Sequence, residues 1–239
     1  MTTAVLSPMF ASELLAAEDI YVTQKEWQIF VSVRNRLRRI KKFVGFGNFN
    51  IISFDQALLY ARNYSVIGAF TKEEFSFIEK IFYEDPKQYG FYGERICSSL
   101  TQKISRKDVK KIPYTGHYLF KAKPLEDYLQ LKKDIGSEII LTSGVRSVVK
   151  QMSLYMDKVY SCRGNITQAS CSLAPPAYSY HSKCDFDVGK RGWGHKNFTA
   201  HFARTREFRA LRKLNYIDMR YTINNRDGVR YEPWHVKIL

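Results

Sequence analysis

Cysteine is scarce in this sequence, which contains four: Cys97, Cys162, Cys171 and Cys184. None of them forms a Cys-x-x-Cys pair, which argues against a structural zinc knuckle. Two alternatives remain open for them. Either Cys162 and Cys171, which flank a short loop, form a disulfide in an oxidising compartment, or all four are unpaired thiols.

Other common patterns are also missing. No apolar run reaches the roughly 18 residues that a membrane span needs. No recognition helix or RRM-type motif is present, so we expect no nucleic-acid partner. Residues 1–20 contain no lysine or arginine, and Glu13, Glu18 and Asp19 interrupt their apolar stretch. A secretory signal begins with a positively charged segment, so the sequence predicts no clear signal peptide.

Basic residues, by contrast, are abundant. The formal net charge is +15 and the isoelectric point about 9.6, which favours polyanionic surroundings: nucleic acid, an anionic membrane surface or an anionic wall polymer. Six basic residues crowd the segment from Arg34 to Lys42. This run is either the solvated face of a helix or an anion-binding helix.

Hydrophobic spacing and capping residues predict helices over 23–43, 54–63, 72–83, 124–135, 148–160 and 197–214. Strands are predicted over 138–142, 184–188, 218–222 and 229–238, and a loop over 161–180. These elements give an α+β class, a small, mainly antiparallel sheet flanked by helices. We expect residues 1–110 to form a helical extension packed on a catalytic domain of residues 111–239.

Two imidazoles and two carboxylates come from well-separated segments of the second half. His181 is followed six residues later by Asp187, and the chain ends near Glu232-Pro-Trp-His235. A catalytic zinc ion takes three protein ligands and keeps one open position, and a nearby carboxylate takes the proton of water. His181, Asp187 and His235 are candidate ligands, and Glu232 is the candidate base. Their spacing of three would point Glu232 and His235 to opposite faces of a strand, so a turn must bring them together.

Three segments carry a resemblance to a known family. Ser172–Gly189 (SLAPPAYSYHSKCDFDVG) resembles the Pro-Pro…Ser-x-His…Asp metal motif of the VanY-like D-alanyl-D-alanine carboxypeptidases, zinc peptidases related to the VanX dipeptidases. Leu141–Gln151 (LTSGVRSVVKQ) is similar to the family's Ser-Gly-Tyr-Arg-Ser…Gln segment, and YEPWHVK to its Glu-Pro-Trp-His ending. The three motifs occur in the family's order and cover about residues 111–239.

The resemblance implies roles for the matching positions. It implies one zinc ion held by His181, Asp187 and His235, with Glu232 as the catalytic base and Arg146 as a catalytic and substrate-binding residue. The same motifs place three further residues at the substrate: Ser147, Gln151 and Ser179.

Two departures from the family pattern matter. The family spaces its histidine and aspartate by seven residues, whereas the interval here is six, and the stretch reads Cys184-Asp-Phe-Asp187. Asp185 is therefore a rival ligand, although Val188-Gly189 matches the context that follows the family's aspartate. Val145 replaces the tyrosine that precedes the family's arginine, so we expect no aromatic stacking on the substrate there.

The implied function is that of a zinc carboxypeptidase that removes a terminal D-alanine from peptidoglycan stem peptides. A peptidoglycan endopeptidase of the same family and a non-catalytic cell-wall-binding module remain alternatives. The resemblance places the protein in the cell envelope or periplasm, and we expect a monomer. Both D,D and L,D specificity are compatible with these motifs.

Overall fold

The computed structural model describes residues 18–239. The helices are α1 (Gln24–Val44), α2 (Phe46–Phe49), α3 (Phe54–Asn63), α4 (Lys72–Tyr83), α5 (Lys123–Ile135), α6 (Val148–Ser161), α7 (Ile166–Ser170) and α8 (Arg206–Leu211). The strands are β1 (Val109–Lys111), β2 (Tyr118–Phe120), β3 (Ile139–Ser143), β4 (Phe186–Lys190), β5 (Ile217–Met219) and β6 (His235–Ile238). The expectation about a signal peptide concerns residues that lie mostly outside this range.

Four strands from the second half of the chain form a sheet with the order β3-β4-β6-β5, in which every neighbouring pair is antiparallel. Strands β1 and β2 form a separate antiparallel hairpin. Together with the eight helices of the described chain, this confirms the predicted α+β class. The register sets Asp187 of β4 opposite Ser143 of β3 on one side and opposite His235 of β6 on the other.

Local capping explains why the N-terminal helices begin where they were predicted to. Ser53 and Gln56 form a reciprocal capping box at the start of α3, and Thr71 and Glu74 form another at the start of α4. In each box two backbone N–H groups that the helix leaves free obtain an acceptor. These two helix predictions are therefore confirmed.

A single apolar core joins the N-terminal helices to the second half of the chain. It contains Phe30 and Leu37 of α1 together with Met152 and Tyr155 of α6. A second core lies between the four-stranded sheet, α5 and α8. The predicted domain boundary at residue 110 falls inside β1, and the first core contains residues from both sides of that boundary. The division into two domains remains a prediction.

The predicted helix over 197–214 is wrong as a continuous element. It is replaced by 3₁₀ helices at Gly194–Phe198 and Ala200–Arg204 and by α8. The reason is that Thr199 and Thr205 both have extended backbones, and their hydroxyls accept from the N–H groups of His201 and Phe208. Each threonine thus caps a new helix rather than continuing the previous one.

Two further element predictions need correction. The predicted loop over 161–180 contains α7, which Asn165 caps by accepting from the Gln168 N–H. The long terminal strand over 229–238 shortens to β6, because the chain turns between Glu232 and His235. All four cysteines are free thiols in the structure, with Cys162 half-buried and Cys171 exposed. The structure therefore contains no disulfide between Cys162 and Cys171.

The basic run on α1 is only partly solvated. Arg34 Nε lies 2.6 Å from an Asp157 oxygen, and Arg36 forms a buried pair with Glu74 at 3.0 Å. Arg38 and Lys42 are exposed. Half of the six basic residues, Arg34, Arg36 and Arg39, therefore tie α1 to its neighbours. None of the helices within residues 18–239 is long and apolar enough to cross a membrane.

Candidate active site

The pairing of β4 with β6 brings together side chains that are distant in sequence. Asp187 and His235 lie opposite each other in the register, and His181 comes from a 3₁₀ helix, Tyr180–Ser182, just before β4. Asp187 Oδ1 lies 3.3 Å from His181 Nε2 and 3.3 Å from His235 Nδ1. One ligand atom from each residue falls within 4.8 Å of the others, and all three residues are buried. We call these three residues the ligand cluster.

Hydrogen bonds on the far side of each ring orient the two imidazoles. His181 Nδ1 lies 2.8 Å from the Gly144 carbonyl oxygen, and His235 Nε2 lies 3.1 Å from Asp185 Oδ2. Because a carbonyl or carboxylate oxygen can only accept, each of these nitrogens carries the proton. In the neutral form of each ring, the other nitrogen presents a lone pair towards Asp187 Oδ1.

The geometry of the ligand cluster fits a metal ion. His181 Nε2 and Asp187 Oδ1 are buried without a hydrogen-bond partner among the described residues, which is costly unless a cation or proton satisfies them. Two ligands of a tetrahedral zinc ion, each about 2.0–2.1 Å from the metal, lie about 3.3–3.4 Å apart. The two separations that involve Asp187 Oδ1, both 3.3 Å, match that value, and the three ligand atoms all lie within 4.8 Å of one another. Two imidazoles, a carboxylate and an open cleft are a donor set of the catalytic zinc type.

Electrostatics keep the carboxylate of the cluster ionised. Arg146 Nη2 donates to Asp187 Oδ2 at 2.6 Å, so the oxygen that faces away from the imidazoles is occupied. Burial alone would raise the pKa of Asp187, but His181 and Arg146 outweigh it and hold the pKa well below its usual range. For His181, burial lowers the pKa to about 4 and thus favours a neutral ring.

Glu232 stands beside the cluster because the chain turns tightly ahead of β6. The His235 N–H donates to the Glu232 carbonyl at 3.1 Å, and the Glu232 N–H donates to the Tyr221 carbonyl at 3.0 Å. This turn meets the requirement that their spacing of three residues imposes, and places Glu232 Oε2 3.8 Å from His235 Nδ1. Burial raises the pKa of Glu232 to about 7.

A cleft of about 380 Å³ opens over the cluster. One end of the cleft is formed by the ligand cluster with Arg146, Ser179 and Glu232, and the other end runs along α6 and the loop after α7. The remaining lining residues are Leu154, Asp157, Lys158, Ser161, Ser172, Leu173, Ala174, Phe198, Tyr221, Val229, Arg230 and Trp234.

The predicted substrate-binding residues divide into two groups. Arg146 and Ser179 line the cleft, whereas Ser147 and Gln151 do not. Ser147 caps α6 by accepting from the backbone N–H of Lys150. Gln151 is fully buried and donates to the Ala174 carbonyl at 2.6 Å, so it holds the loop that forms the opposite wall.

Ser147 and Lys150 also have the Ser-x-x-Lys spacing of a serine nucleophile motif, which the reasoning from sequence missed. The Lys150 ammonium lies over the Phe46 ring, 4.8 Å from its centroid, and burial lowers the pKa of Lys150 to about 7. The Ser147 hydroxyl is engaged by the backbone of Lys150, not by its amine, in the described hydrogen bonds. Ser147 therefore acts as a helix cap, and the Lys150 ammonium makes a cation–π contact with Phe46.

The rival ligand Asp185 lies on the other side of His235. Its carboxylate accepts from His235 Nε2 and from Arg220, whose Nε lies 2.7 Å from Oδ2 and whose Nη2 lies 3.1 Å from Oδ1. Asp185 thus contacts the ring nitrogen that faces away from Asp187. Arg220 was missed from sequence, because nothing distinguishes it among 38 lysines and arginines.

Comparisons with known proteins provide an independent view of the chain. The family model VanY, described as D-alanyl-D-alanine carboxypeptidase, matches residues 120–239. That range contains the whole ligand cluster, Glu232 and Arg146. No curated protein sequence matches the chain.

Several solved structures are similar in part. A variant of the vancomycin-resistance D,D-pentapeptidase VanY from a VanB-type cassette, in complex with Zn(II), is 20% identical over 63% of this chain and 88% of that one, with a TM-score of 0.43. The LD-carboxypeptidase LdcB is 22% identical over 61% and 65%, with a TM-score of 0.43. The D,D-dipeptidase VanXYg, bound to a D-Ala-D-Ala phosphinate analogue, is 18% identical over 64% of each chain, with a TM-score of 0.48.

Proposed function

The chain belongs to the VanY family of D-alanyl-D-alanine carboxypeptidases, and from that premise we propose that it is a zinc-dependent enzyme that removes a terminal D-alanine from peptidoglycan stem peptides. Family membership makes it a metallopeptidase of the carboxypeptidase type. The single zinc ion, the bond that is cleaved and the residues that act are our proposal. The substrate further implies that the protein works in the cell envelope.

One observation carries the proposal. His181 Nε2 and His235 Nδ1 each lie 3.3 Å from Asp187 Oδ1, and neither His181 Nε2 nor Asp187 Oδ1 has a hydrogen-bond partner among the described residues. Such an arrangement is unfavourable in a protein unless a cation occupies it. The cleft lies directly over it, so a ligand position remains open to water and substrate.

The chain's own side chains supply the rest of the chemistry. A zinc ion at the ligand cluster acts, when bound, as a Lewis acid that activates water and polarises the scissile carbonyl. Glu232 takes a proton from the attacking water and delivers it to the leaving amine of D-alanine. Its burial and its raised pKa suit a group that must both accept and donate a proton near neutral pH.

Arg146 acts on both the protein and the substrate in this proposal. Three guanidinium N–H groups are used within the protein, on Ser143, Gln151 and Asp187. A guanidinium has five such donors, so two remain for an oxygen of the peptide in the cleft. The contacts made inside the protein hold these two donors in a fixed orientation.

We also propose that residues 1–110 are an extension that packs on the catalytic domain of residues 111–239. The core shared by α1 and α6 supports this arrangement. It predicts a single cooperative unfolding transition for the whole chain, and two separate transitions in urea would contradict it.

The proposed activity is tested with synthetic stem peptides. Metal-free protein is incubated with a pentapeptide ending in D-Ala-D-Ala and with a tetrapeptide ending in a single D-alanine, before and after zinc is restored. We expect zinc-dependent release of free D-alanine, and the peptide that is cleaved distinguishes D,D from L,D specificity. Cleavage of a cross-linked dimer alone would identify an endopeptidase. No release from any substrate by the zinc-loaded protein would refute the proposal.

A further inference from the structure

The Asp185 carboxylate is held from two sides. Arg220 grips both of its oxygens, with Nε 2.7 Å from Oδ2 and Nη2 3.1 Å from Oδ1, while His235 Nε2 lies 3.1 Å from Oδ2. Asp185 is 2% exposed, so its charge depends on these partners. A planar guanidinium fixes the plane of a carboxylate that it contacts through two N–H groups.

Arg220 is itself held in place. Its guanidinium lies over the Tyr180 ring, 3.5 Å from the centroid. The Tyr180 hydroxyl donates to Glu94 at 3.1 Å. Tyr180 immediately precedes His181 in the chain. The residue whose ring supports Arg220 is therefore the direct neighbour of a member of the ligand cluster. Glu94 lies outside the region that the family model matches.

From this geometry we infer that Arg220 is a positioning residue of the active site: through Asp185 it holds the His235 ring with Nε2 protonated and Nδ1 facing Asp187. The inference rests on the proposed function, because the ring is positioned towards the proposed zinc ion. A metal-bound histidine commonly donates its second N–H to a carboxylate, which fixes the tautomer and the ring orientation. Arg220 extends this arrangement by one residue, since it prevents rotation of the Asp185 carboxylate.

The inference predicts that Arg220 changes zinc affinity only through Asp185. Zinc dissociation constants are measured by competition with a chromophoric chelator for the wild type, Arg220→Gln, Asp185→Asn and the double variant. We expect about 10–100-fold weaker binding for each single variant. The double variant should bind about as weakly as Asp185→Asn alone, because both substitutions remove the same support. The double variant has no charged carboxylate at position 185 that lacks its arginine partner. Its zinc affinity therefore remains informative even if Arg220→Gln folds poorly.

Two further measurements separate positioning from general stability. Arg212→Gln, which changes an exposed arginine at the end of α8, is the matched control and should retain wild-type affinity. The visible absorption of the Co²⁺-loaded protein should change in Arg220→Gln and not in Arg212→Gln, because it reports the geometry of the ligands.

The outcomes distinguish the two proposals. If the wild type binds no zinc, the proposed function fails. If the wild type binds zinc and Arg220→Gln binds it equally well, Arg220 does not position the site. Losses in the two single variants that multiply in the double variant would also overturn the inference, because Arg220 would then act independently of Asp185.

Discussion

Replacing Glu232 with glutamine tests the catalytic step most directly. The glutamate is buried, lines the cleft and has its Oε2 3.8 Å from His235 Nδ1. Glutamine has nearly the same shape, so the turn at Glu232–His235 and the ligand cluster stay intact. It cannot accept a proton from water or return one to the leaving amine. The substitution therefore removes the acid–base function and leaves the metal site in place.

The size of the effect follows from that role. A positioned general acid–base group contributes about 10²–10⁴ in rate. At 1.36 kcal/mol for each factor of ten, this corresponds to about 2.7–5.4 kcal/mol of the activation barrier. We expect the loss to appear in kcat, with little change in KM, because the proton moves only in the transition state. The assay is the release of D-alanine at saturating zinc, with the zinc content of each sample measured in parallel.

A second buried glutamate provides the control. Glu207 is 6% exposed and pairs with Lys190 at 3.4 Å, and it does not line the cleft. Glu207→Gln should keep the wild-type kcat even if it lowers stability. If Glu232→Gln binds zinc and retains the wild-type kcat, another group performs the proton transfers and the assignment of Glu232 is wrong.

Three other predictions concern the substrate, the core and the surface. Lys158 lines the cleft and has no ion-pair partner in the described part of the chain, so Lys158→Met should raise KM for a peptide carboxylate about two- to tenfold; an unchanged KM in steady-state kinetics would exclude this contact. Glu74→Gln removes the carboxylate that balances the charge of the buried Arg36 and should lower the free energy of unfolding in urea by about 3–5 kcal/mol, whereas a loss under about 1 kcal/mol would be that of an exposed pair. If the basic run on α1 binds anions, Arg38→Glu with Lys42→Glu should weaken retention on anionic cell-wall material at low salt without slowing cleavage of a small peptide; equal retention would leave the solvated helix face as the interpretation of this run.

The parts of the fold that could be predicted were those set by local chemistry. The capping boxes at Ser53 and Thr71 define where α3 and α4 begin, and Gly136, with φ of 106°, ends α5 in a conformation that suits glycine. Helical spacing alone gave a wrong prediction of one continuous helix between Asn197 and Leu214, because two threonine caps divide this segment into separate helices. Local capping therefore outweighed periodicity in that segment.

The site was predictable in its residue types and less so in its arrangement. His181, Asp187 and His235 were singled out from their motifs, and the structure brings them together. The turn that sets Glu232 beside His235 depends on a backbone contact with Tyr221, which comes from another part of the chain. Arg220 has no motif, and its contact with Asp185 exists only because β5 pairs with β6.

The choice between Asp185 and Asp187 shows what the sequence alone leaves undecided. The two aspartates are two residues apart, so in an extended chain both point to the same side, and alternation cannot separate them. The structure places them on opposite sides of one imidazole, with Asp187 3.3 Å from His235 Nδ1 and Asp185 3.1 Å from Nε2. Only one can face the ring nitrogen that lies beside His181, and the β4–β6 register sets Asp187 there. In the site that we propose, the second aspartate favours the tautomer that leaves Nδ1 free, so both carboxylates would be needed to present His235 to a metal ion.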